Sequence, residues 1–168
     1  MTLRVRRAVP ADGEALAGLY GDGIRSRRAT FRTSEPTPEE MADRVATAGP
    51  RHPVVVAEVD GRVVGCAWLD PYSANPWYAD VAEFSVYVEE GHRLGGLATL
   101  LVGAVVEAGR SAGVRKVTAK VLAGNRASRR MCASLGFREV GVHLRHGRLD
   151  GRWRDVVIVE RLLDDVTG

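Results

Sequence analysis

The segment VAEFSVYVEEGHRLGGLAT, residues 81–99, decides the fold that we expect for this chain. Its first half alternates apolar and polar residues, which predicts a strand with one buried face. A turn that is led by Arg93 and contains Gly95 and Gly96 follows, and a helix begins after it. Such an arrangement directs backbone N–H groups and the positive end of a helix dipole to one point, which suits a phosphate or pyrophosphate. The segment therefore predicts a site for an anionic ligand.

The helix that follows the turn has apolar residues at helical spacing, which predicts that it packs on a sheet. These residues are Leu97, Leu100, Leu101, Ala104, Val105 and Ala108. A bare glycine pair is more often an ordinary turn, but Arg93, Ala98 and the upstream Glu83 favour a ligand site. The glycine pattern is neither G-x-G-x-x-G nor a loop that ends in Gly-Lys-Ser/Thr. It therefore disfavours a dinucleotide enzyme and a nucleotide kinase.

Length and composition predict a single domain over residues 1–168. Two cysteines, Cys66 and Cys132, and four scattered histidines show no disulfide framework and no metal-ligand spacing. We therefore expect neither a disulfide nor a metal. The chain starts without the apolar run of a signal peptide, and no stretch reaches the roughly 20 apolar residues that span a bilayer, so we expect a cytoplasmic protein with no membrane partner. The net charge is only +3, with arginines interspersed among acids, and nucleic-acid binding is the least supported function.

The first half of the chain predicts an edge strand, two helices and a hairpin. The strand covers residues 3–6, and a helix follows Pro10. Periodicity fades after Ile24, and the polar loop over residues 25–38 holds Phe31 as its only large apolar residue. The sequence Thr37-Pro38-Glu39-Glu40 has the form of a capping box and predicts a helix to about residue 48. Asp60-Gly61 between two apolar runs predicts an antiparallel hairpin.

The remaining segments complete a mixed α+β sheet. Residues 70–78 contain two prolines and three aromatic residues, which is typical of a packed surface loop or a pocket wall, and packing is slightly favoured. A strand covers 117–121, and a helix begins near Asn125 and ends at Gly136. Terminal strands are expected at 140–142 and 153–163, with a charged connection over 143–152.

Six separated segments resemble a known family in order and spacing. Arg93–Ala98 resembles the R/Q-x-x-G-x-G/A pyrophosphate loop of the GNAT superfamily of N-acetyltransferases. Asn125–Ser128 with Leu135–Phe137 resembles the helix that follows in that family. More narrowly, four segments resemble the phosphinothricin/methionine sulfoximine acetyltransferase branch, so that the match runs from about Leu3 to Leu163. They are Thr30–Thr33, Val55–Gly61, Ala82–Glu83 with Ser85–Val88, and Gly151–Trp153 with Asp155–Val156.

The resemblance implies a GNAT-like fold, with a mixed, mostly antiparallel central sheet, flanking helices and central strands that splay apart. It implies acetyl-CoA as the acetyl donor, without a metal, and a homodimer. By resemblance, backbone groups of Val86, Tyr87 and Val88 hold the pantetheine amides, and Asn125 holds the pantetheine arm. The residues assigned to the pyrophosphate are Arg93, Leu94, Gly95, Gly96, Leu97, Ala98 and Thr99.

Glu83 is the candidate general base, because acetyl transfer requires a neutral amine and the branch has its proposed base at this position. An amine of pKa about 10.4 needs this help more than an α-amine near 7.7 to 8.0. A rim glutamate on a polar sheet face is the alternative interpretation. A backbone N–H near Val86 is expected to stabilise the oxyanion. Phe31 and Trp77 are candidate acceptor-binding residues, and loop packing explains both equally well.

The sequence departs from the branch at three places. Cys132 stands where relatives commonly have His or Tyr, and burial is the favoured interpretation of this thiol. Ser134 stands where lysine is common, and Arg129 or Arg130 is a candidate substitute. The loop Ser73–Tyr78 lacks the basic residue that branch members have near the acceptor carboxylate, which suggests a changed acceptor.

The first hypothesis is therefore an acetyl-CoA-dependent N-acetyltransferase that acts on a small amine, an amino acid or an analogue such as phosphinothricin or methionine sulfoximine. Acetylation of another amine (a protein N-terminus, a polyamine or an aminoglycoside) is the alternative within enzymes. A non-catalytic acetyl-CoA-binding module is the alternative from another class.

Overall fold

The computed structural model describes residues 1–163, and at position 94 the backbone alone. Seven strands form one sheet in these residues: β1 Leu3–Arg7, β2 Val54–Val59, β3 Arg62–Pro71, β4 Val81–Val88, β5 Lys116–Leu122, β6 Arg138–Leu149 and β7 Arg152–Leu162. The α-helices are α1 Gly13–Arg25, α2 Pro38–Thr47, α3 Leu97–Ser111 and α4 Arg126–Ser134. The order in the sheet is β1-β2-β3-β4-β5-β7-β6, and each neighbouring pair is antiparallel except β4 and β5. The expected α+β fold with a mixed, mostly antiparallel sheet is confirmed.

Each face of the sheet packs against two helices, because side chains alternate along every strand. Helices α3 and α4 cover one face, where the core contains Leu69, Phe84, Leu101, Val105, Val117, Phe137 and Val157. Helices α1 and α2 cover the other face, where the core contains Leu16, Leu19, Met41, Val56, Trp68 and Tyr87. Burying this much apolar surface, at about 25 cal/mol per Å², is the main force that holds the helices on the sheet.

The parallel ladder between β4 and β5 is short, and this feature creates the central opening of the fold. Its pairs are Val81↔Lys116, Ala82↔Val117 and Glu83↔Thr118, although β4 and β5 both continue beyond them. On its other side β4 stays paired with β3 up to residue 88, and β5 stays paired with β7 up to residue 122. The outer neighbours therefore hold the two strands apart, and the expected splay is confirmed.

Local signals placed several elements correctly. The capping box of α2 is present, since Thr37 Oγ1 accepts a hydrogen bond from Glu40 N at 3.1 Å and Glu40 Oε2 accepts one from Thr37 N at 2.9 Å. Asp60 and Gly61 have φ values of +50° and +81°, as a two-residue hairpin turn requires. No helix within residues 1–163 is long and apolar enough to cross a bilayer.

The apolar stripe expected on α3 is partly wrong. Leu100 is 45% exposed, whereas Val102 and Val106 are buried. Residues 97–106 of this helix contain Thr99 as their only polar side chain, so periodicity does not identify one face there. Gly109 helps to set the orientation of α3 on the sheet, because the glycine leaves room for Leu69 of β3. A Cβ at Gly109 would lie 2.4 Å from Leu69 Cδ1.

The charged connection expected over 143–152 is also wrong. Strand β6 continues to Leu149, and the turn consists of Asp150 and Gly151, with φ values of +50° and +76°. Val140, Val142 and Leu144 alternate in the first half of β6, but residues 145–148 are basic or glycine, so alternation does not reveal the second half of the strand. In the loop after β3, Tyr72, Trp77 and Tyr78 contact one another and remain exposed, so they do not add to the core.

Candidate active site

Glu83 lies at the fork between β4 and β5, where its side chain lines a cavity of about 360 Å³. The cavity wall combines residues of both strands with the loop after α1. Residues lining it include Tyr20, Thr30, Phe31, Asp70, Glu83, Ser85, Val86, Lys120, Val121, Asn125 and Ser128. Because the strands have separated here, side chains and backbone groups both face the space. The cavity is thus a cleft in the sheet itself, and the Glu83 carboxylate lies where the two strands separate.

Lys120 is the residue of this cavity that sequence reasoning missed. Its Nζ lies 3.1 Å from Glu83 Oε2, and the side chains of Lys120 and Glu83 are 56% and 29% exposed. The sequence does offer one signal. Lys120 is two residues after Thr118, the partner of Glu83, and residues two apart on a strand lie on the same face of the sheet. That signal is usable only when the register of β5 against β4 is known.

A second carboxylate, Asp70, pairs with Glu83 across β3 and β4 and lines the same cavity. Asp70 has its own partners, because Arg44 Nη1 lies 2.6 Å from one carboxylate oxygen and Trp68 Nε1 donates to the other at 3.1 Å. Arg44 also lies 4.8 Å from the centre of the Trp68 ring. Asp70 is therefore held by two partners, Arg44 and Trp68, whereas Glu83 is held at the fork by Lys120.

An aromatic cluster forms the floor beneath these carboxylates. Tyr87 contacts Tyr20 at 4.7 Å and Trp68 at 5.4 Å between ring centres. Helix α1 can approach the Tyr87 ring closely because Gly23 has no side chain. A Cβ at Gly23 would lie 2.4 Å from that ring. Burial raises the pKa of Tyr87 well above its usual range, so its hydroxyl stays protonated.

The pairing pattern shows which backbone groups face the cleft. Tyr72 N donates to Val81 O, and Glu89 N donates to Val64 O, so odd-numbered residues of β4 direct their backbone groups at β3. Because hydrogen-bonded and non-hydrogen-bonded pairs alternate in an antiparallel ladder, Val86 and Val88 direct theirs at the opposite side, where β5 has diverged. Tyr87 contributes its ring to the cleft, while its backbone faces β3.

A second cavity of about 650 Å³ is continuous with the first. Val86, Tyr87, Asn125 and Ser128 are among the residues that line both. The second cavity runs past the start of α3, and its further lining includes Gly96, Ala98, Thr99, Arg28, Arg93 and Arg130. The three arginines make this groove electropositive, which favours an anionic ligand.

The turn before α3 provides backbone donors to this groove. Residues Glu90–Gly95 form a 3-10 helix, and Gly96, with a φ of +73°, is the N-cap residue just before α3. Leu100 N donates to Gly96 O at 3.0 Å, so the N–H groups of residues 97–99 have no partner within the helix. The Leu97 side chain is buried in the core, and the Leu94 side chain lies outside the described residues. Arg93 donates from Nε to Val88 O at 3.2 Å, which holds the guanidinium beside the end of β4.

Asn125 joins the two cavities. Its Oδ1 accepts from Ser128 N at 3.1 Å as the cap of α4, and its Nδ2 donates to Arg28 O at 3.2 Å. The second bond links the loop after α1 to the start of α4. Asn125 therefore fixes the width of the cleft as well as lining it.

The two acceptor-site candidates lie in different places. Phe31 lines the cavity of Glu83, and its ring packs so tightly on Gly147 of β6 that a Cβ there would lie 2.7 Å from Phe31 Cζ. Trp77 is 74% exposed in a turn after β3 and does not line this cavity. The structure thus brings Phe31, but not Trp77, to the fork.

The departures at α4 have structural explanations. Cys132 is 1% exposed, as the sequence favoured, and burial raises the pKa of its thiol to about 11. Ser134 and Arg130 both line the groove, whereas Arg129 pairs with Glu139 at 2.7 Å. Arg130 is therefore the cation near Ser134. In residues 1–163 no group of three or more His, Cys, Asp or Glu side chains is arranged to hold a metal ion.

Comparisons with known proteins agree with this geometry. Residues 23–137 match the Acetyltransferase (GNAT) family. The chain is 33% identical over 165 residues to a phosphinothricin N-acetyltransferase from Streptomyces coelicolor, with 96% of both chains covered. It is 30% identical to an L-methionine sulfoximine/L-methionine sulfone acetyltransferase from Pseudomonas aeruginosa, with 98% of this chain and 96% of that protein covered.

A solved structure shares the fold over nearly the whole chain. It is a phosphinothricin acetyltransferase of the GNAT superfamily from Sinorhizobium meliloti in complex with acetyl-CoA. The two superpose with a TM-score of 0.92 at 29% identity, and 99% of this chain and 91% of that chain are covered. The chain described here belongs to the GNAT family of acetyltransferases.

Proposed function

We propose that this protein transfers the acetyl group of acetyl-CoA to the amine of a small molecule, an amino acid or an analogue such as phosphinothricin or methionine sulfoximine. The observation that carries the proposal is that Glu83 lines a cavity between the splayed strands, and that this cavity shares Val86, Tyr87, Asn125 and Ser128 with an electropositive groove. A donor in the groove and an acceptor in the cavity would meet at the fork. The relatives named above act on amino-acid analogues, which supports this choice of acceptor.

The groove provides groups for each part of the donor. The guanidinium of Arg93, the turn Gly95–Gly96 and the free N–H groups at the start of α3 suit the pyrophosphate. The backbone groups of Val86 and Val88 that face the cleft suit the pantetheine amides, which would continue the sheet pattern of β4. Asn125 lies between this backbone and the start of α4 and suits the pantetheine arm.

In the proposed reaction the neutral amine nitrogen attacks the thioester carbonyl carbon, so that a C–N bond forms and the C–S bond breaks. Glu83 accepts the amine proton, directly or through one water, and the thiolate of CoA leaves with the electron pair and is then protonated. The N–H of Val86, which faces the cleft, would stabilise the oxyanion. Transfer is direct, and Cys132 takes no part, because the thiol is buried and lines neither cavity.

Release of free thiol from acetyl-CoA in the presence of an acceptor panel tests this function. The panel contains phosphinothricin, methionine sulfoximine, common amino acids, a polyamine, an aminoglycoside and a peptide with a free N-terminus. We expect turnover with amino acids or their analogues. Turnover confined to one of the other amines would replace the acceptor class, and binding of CoA without thiol release for any amine would make the protein a binding module.

Two further expectations belong to the proposal. A homodimer is supported by β6, a 12-residue edge strand whose exposed side chains include Val140, Val142 and Leu144. Exposed apolar edges promote pairing with another chain.

A cytoplasmic location is supported by two free, buried cysteines, because disulfides are rare in reducing compartments.

A further inference from the structure

We propose that Lys120 binds the carboxylate of the acceptor, so that Glu83 and Lys120 together recognise a zwitterionic α-amino acid. This inference rests on the proposed function and adds a residue that determines specificity. The loop Ser73–Tyr78 contains no lysine, arginine or histidine. A cation for an acceptor carboxylate must therefore come from another element.

The composition of the cavity wall singles out Lys120. Among the described residues that line the cavity of Glu83, Lys120 is the only lysine, arginine or histidine. Arg44 lies nearby, but Asp70 and the Trp68 ring already occupy its guanidinium. Within the part of the chain that the structure describes, Lys120 Nζ is thus the one cationic group that lines this space.

The geometry of the ion pair fits an amino acid. Glu83 Oε2 and Lys120 Nζ are 3.1 Å apart, so two opposite charges lie side by side in the cavity wall. An α-amino acid has its ammonium and carboxylate on one carbon atom, and these groups therefore also lie side by side. If the ammonium of the amino acid lies against Glu83, its carboxylate lies against Lys120. The ion pair between Glu83 and Lys120 is then replaced by two ion pairs with the ligand.

The exchange costs the protein little. The Lys120 side chain is 56% exposed, and exposed ion pairs contribute little to stability. Lys120 is also the more exposed partner, so it moves more freely than Glu83, which is 29% exposed. If Lys120 moves to the carboxylate of the acceptor, the ion pair between Lys120 and Glu83 opens. The Glu83 carboxylate is then free to accept the proton of the amine. The same contact would then bind the acceptor and prepare the base.

The experiment combines a change in the protein with a change in the acceptor. Wild type and Lys120→Met are assayed for kcat and KM with the best amino-acid acceptor and with its carboxamide, which keeps the amine and replaces the carboxylate by a neutral group. We expect wild type to prefer the acid over the amide by about 10- to 100-fold in kcat/KM, as a hydrogen bond to a charged group implies, mainly through KM. Lys120→Met should lose this preference. Each acceptor is compared between the two proteins, so the different basicity of the acid and amide amines cancels.

Two variants control for charge and folding. Lys120→Arg should retain most of the preference, because it keeps the cation. Lys116→Met removes the only other lysine, which lies on the same strand outside the cavity and pairs with Glu160, and it should behave as wild type. The KM for acetyl-CoA reports that each variant is folded.

Three outcomes would overturn the inference. If Lys120→Met lowers kcat/KM by the same factor for the acid and for the amide, Lys120 acts only through Glu83 or through the fold. A wild-type enzyme that acetylates the acid and the amide equally well would show that the carboxylate is not recognised. A wild-type protein that releases no thiol with any amine would refute the proposed function, and the inference with it.

Discussion

Glu83 and Thr118 form the last pair of the parallel ladder between β4 and β5. The buried Thr118 hydroxyl donates to Val159 O at 2.8 Å, which ties β5 to β7 at the level of the fork. The pair therefore marks the end of the continuous sheet, and the proposed reaction centre begins at the side chain of Glu83. The separation of the two strands, together with the loop after α1, thus forms the cavity that the proposal assigns to the acceptor.

Glu83→Gln should lower kcat by about 10²- to 10⁴-fold at neutral pH, because the base is lost while the shape of the side chain is kept. The loss should shrink at higher pH, where more of the amine is already neutral. The KM for acetyl-CoA should change little, since Glu83 does not line the groove. Thiol-release rates across pH 6 to about 10 measure both effects. Glu107→Gln, an exposed glutamate on α3, is the control, and full turnover of Glu83→Gln at every pH would contradict the assignment.

Arg93→Met should raise the KM for acetyl-CoA by about 10- to 100-fold and leave the acceptor KM nearly unchanged, because a charge-assisted contact to phosphate is lost. The dependence of CoA binding on salt should also weaken. Titration of CoA at two salt concentrations measures the change. Arg110→Met, which removes an exposed arginine paired with Glu107 on α3, is the matched control. Equal CoA affinity of Arg93→Met and wild type would remove Arg93 from the pyrophosphate site.

Gly96→Ala should lower the free energy of unfolding by about 1–2 kcal/mol, because Gly96 has a φ of +73° and an L side chain is strained there. Space is not the cause, since a Cβ at either Gly95 or Gly96 meets nothing within 4 Å. Gly95→Ala, at a position without positive φ, should therefore be less destabilising. Gly96→Asn should recover part of the loss, because asparagine tolerates this conformation. Denaturant unfolding of the three variants is the measurement, and equal losses at both positions would refute the conformational cause.

Stability should fall as the pH rises above about 9, because burial raises the thiol pKa values of Cys132 and Cys66 to about 11 and about 12. In this window the unfolded chain loses thiol protons that the native chain keeps, so deprotonation favours unfolding. Denaturant unfolding at pH 8 and pH 10 should show the loss, and Cys132→Ala should reduce it. An unchanged pH dependence in that variant would contradict the buried thiol. Native protein at pH 8 should also react slowly with alkylating reagents at both cysteines.

Leu144→Lys should convert a homodimer into a monomer, because Leu144 is 74% exposed on the edge strand β6 and a charge there opposes pairing. Light scattering after gel filtration measures the mass of each form. Leu100→Lys is the control, since Leu100 is also exposed but lies on α3. A wild-type monomer at all concentrations would refute the dimer, and a Leu144→Lys dimer would locate the interface elsewhere.

The sequence by itself determined the features that depend on neighbouring residues. The capping box of α2, the turn at Asp60-Gly61, the cap at Asn125 and the turn before α3 follow from hydrogen bonds and φ values within a few residues. Alternation along residues 81–88 also identified the two faces of β4. The residues that form these caps and turns are close together in the sequence whatever the rest of the fold is, so they can be predicted from the sequence.

Tertiary structure alone decided which distant groups meet. Lys120 lies beside Glu83, 37 residues earlier, only because β5 pairs with β4 in one register and then diverges. The buried face of α3 was set by packing on the sheet, since residues 97–106 contain Thr99 as their only polar side chain. Strand β6 is held by its pairing with β7, and its alternating Val140, Val142 and Leu144 stay exposed, so the pattern did not show how far the strand runs. Register and burial are non-local, and they bring the second charge of the proposed acceptor site to the fork.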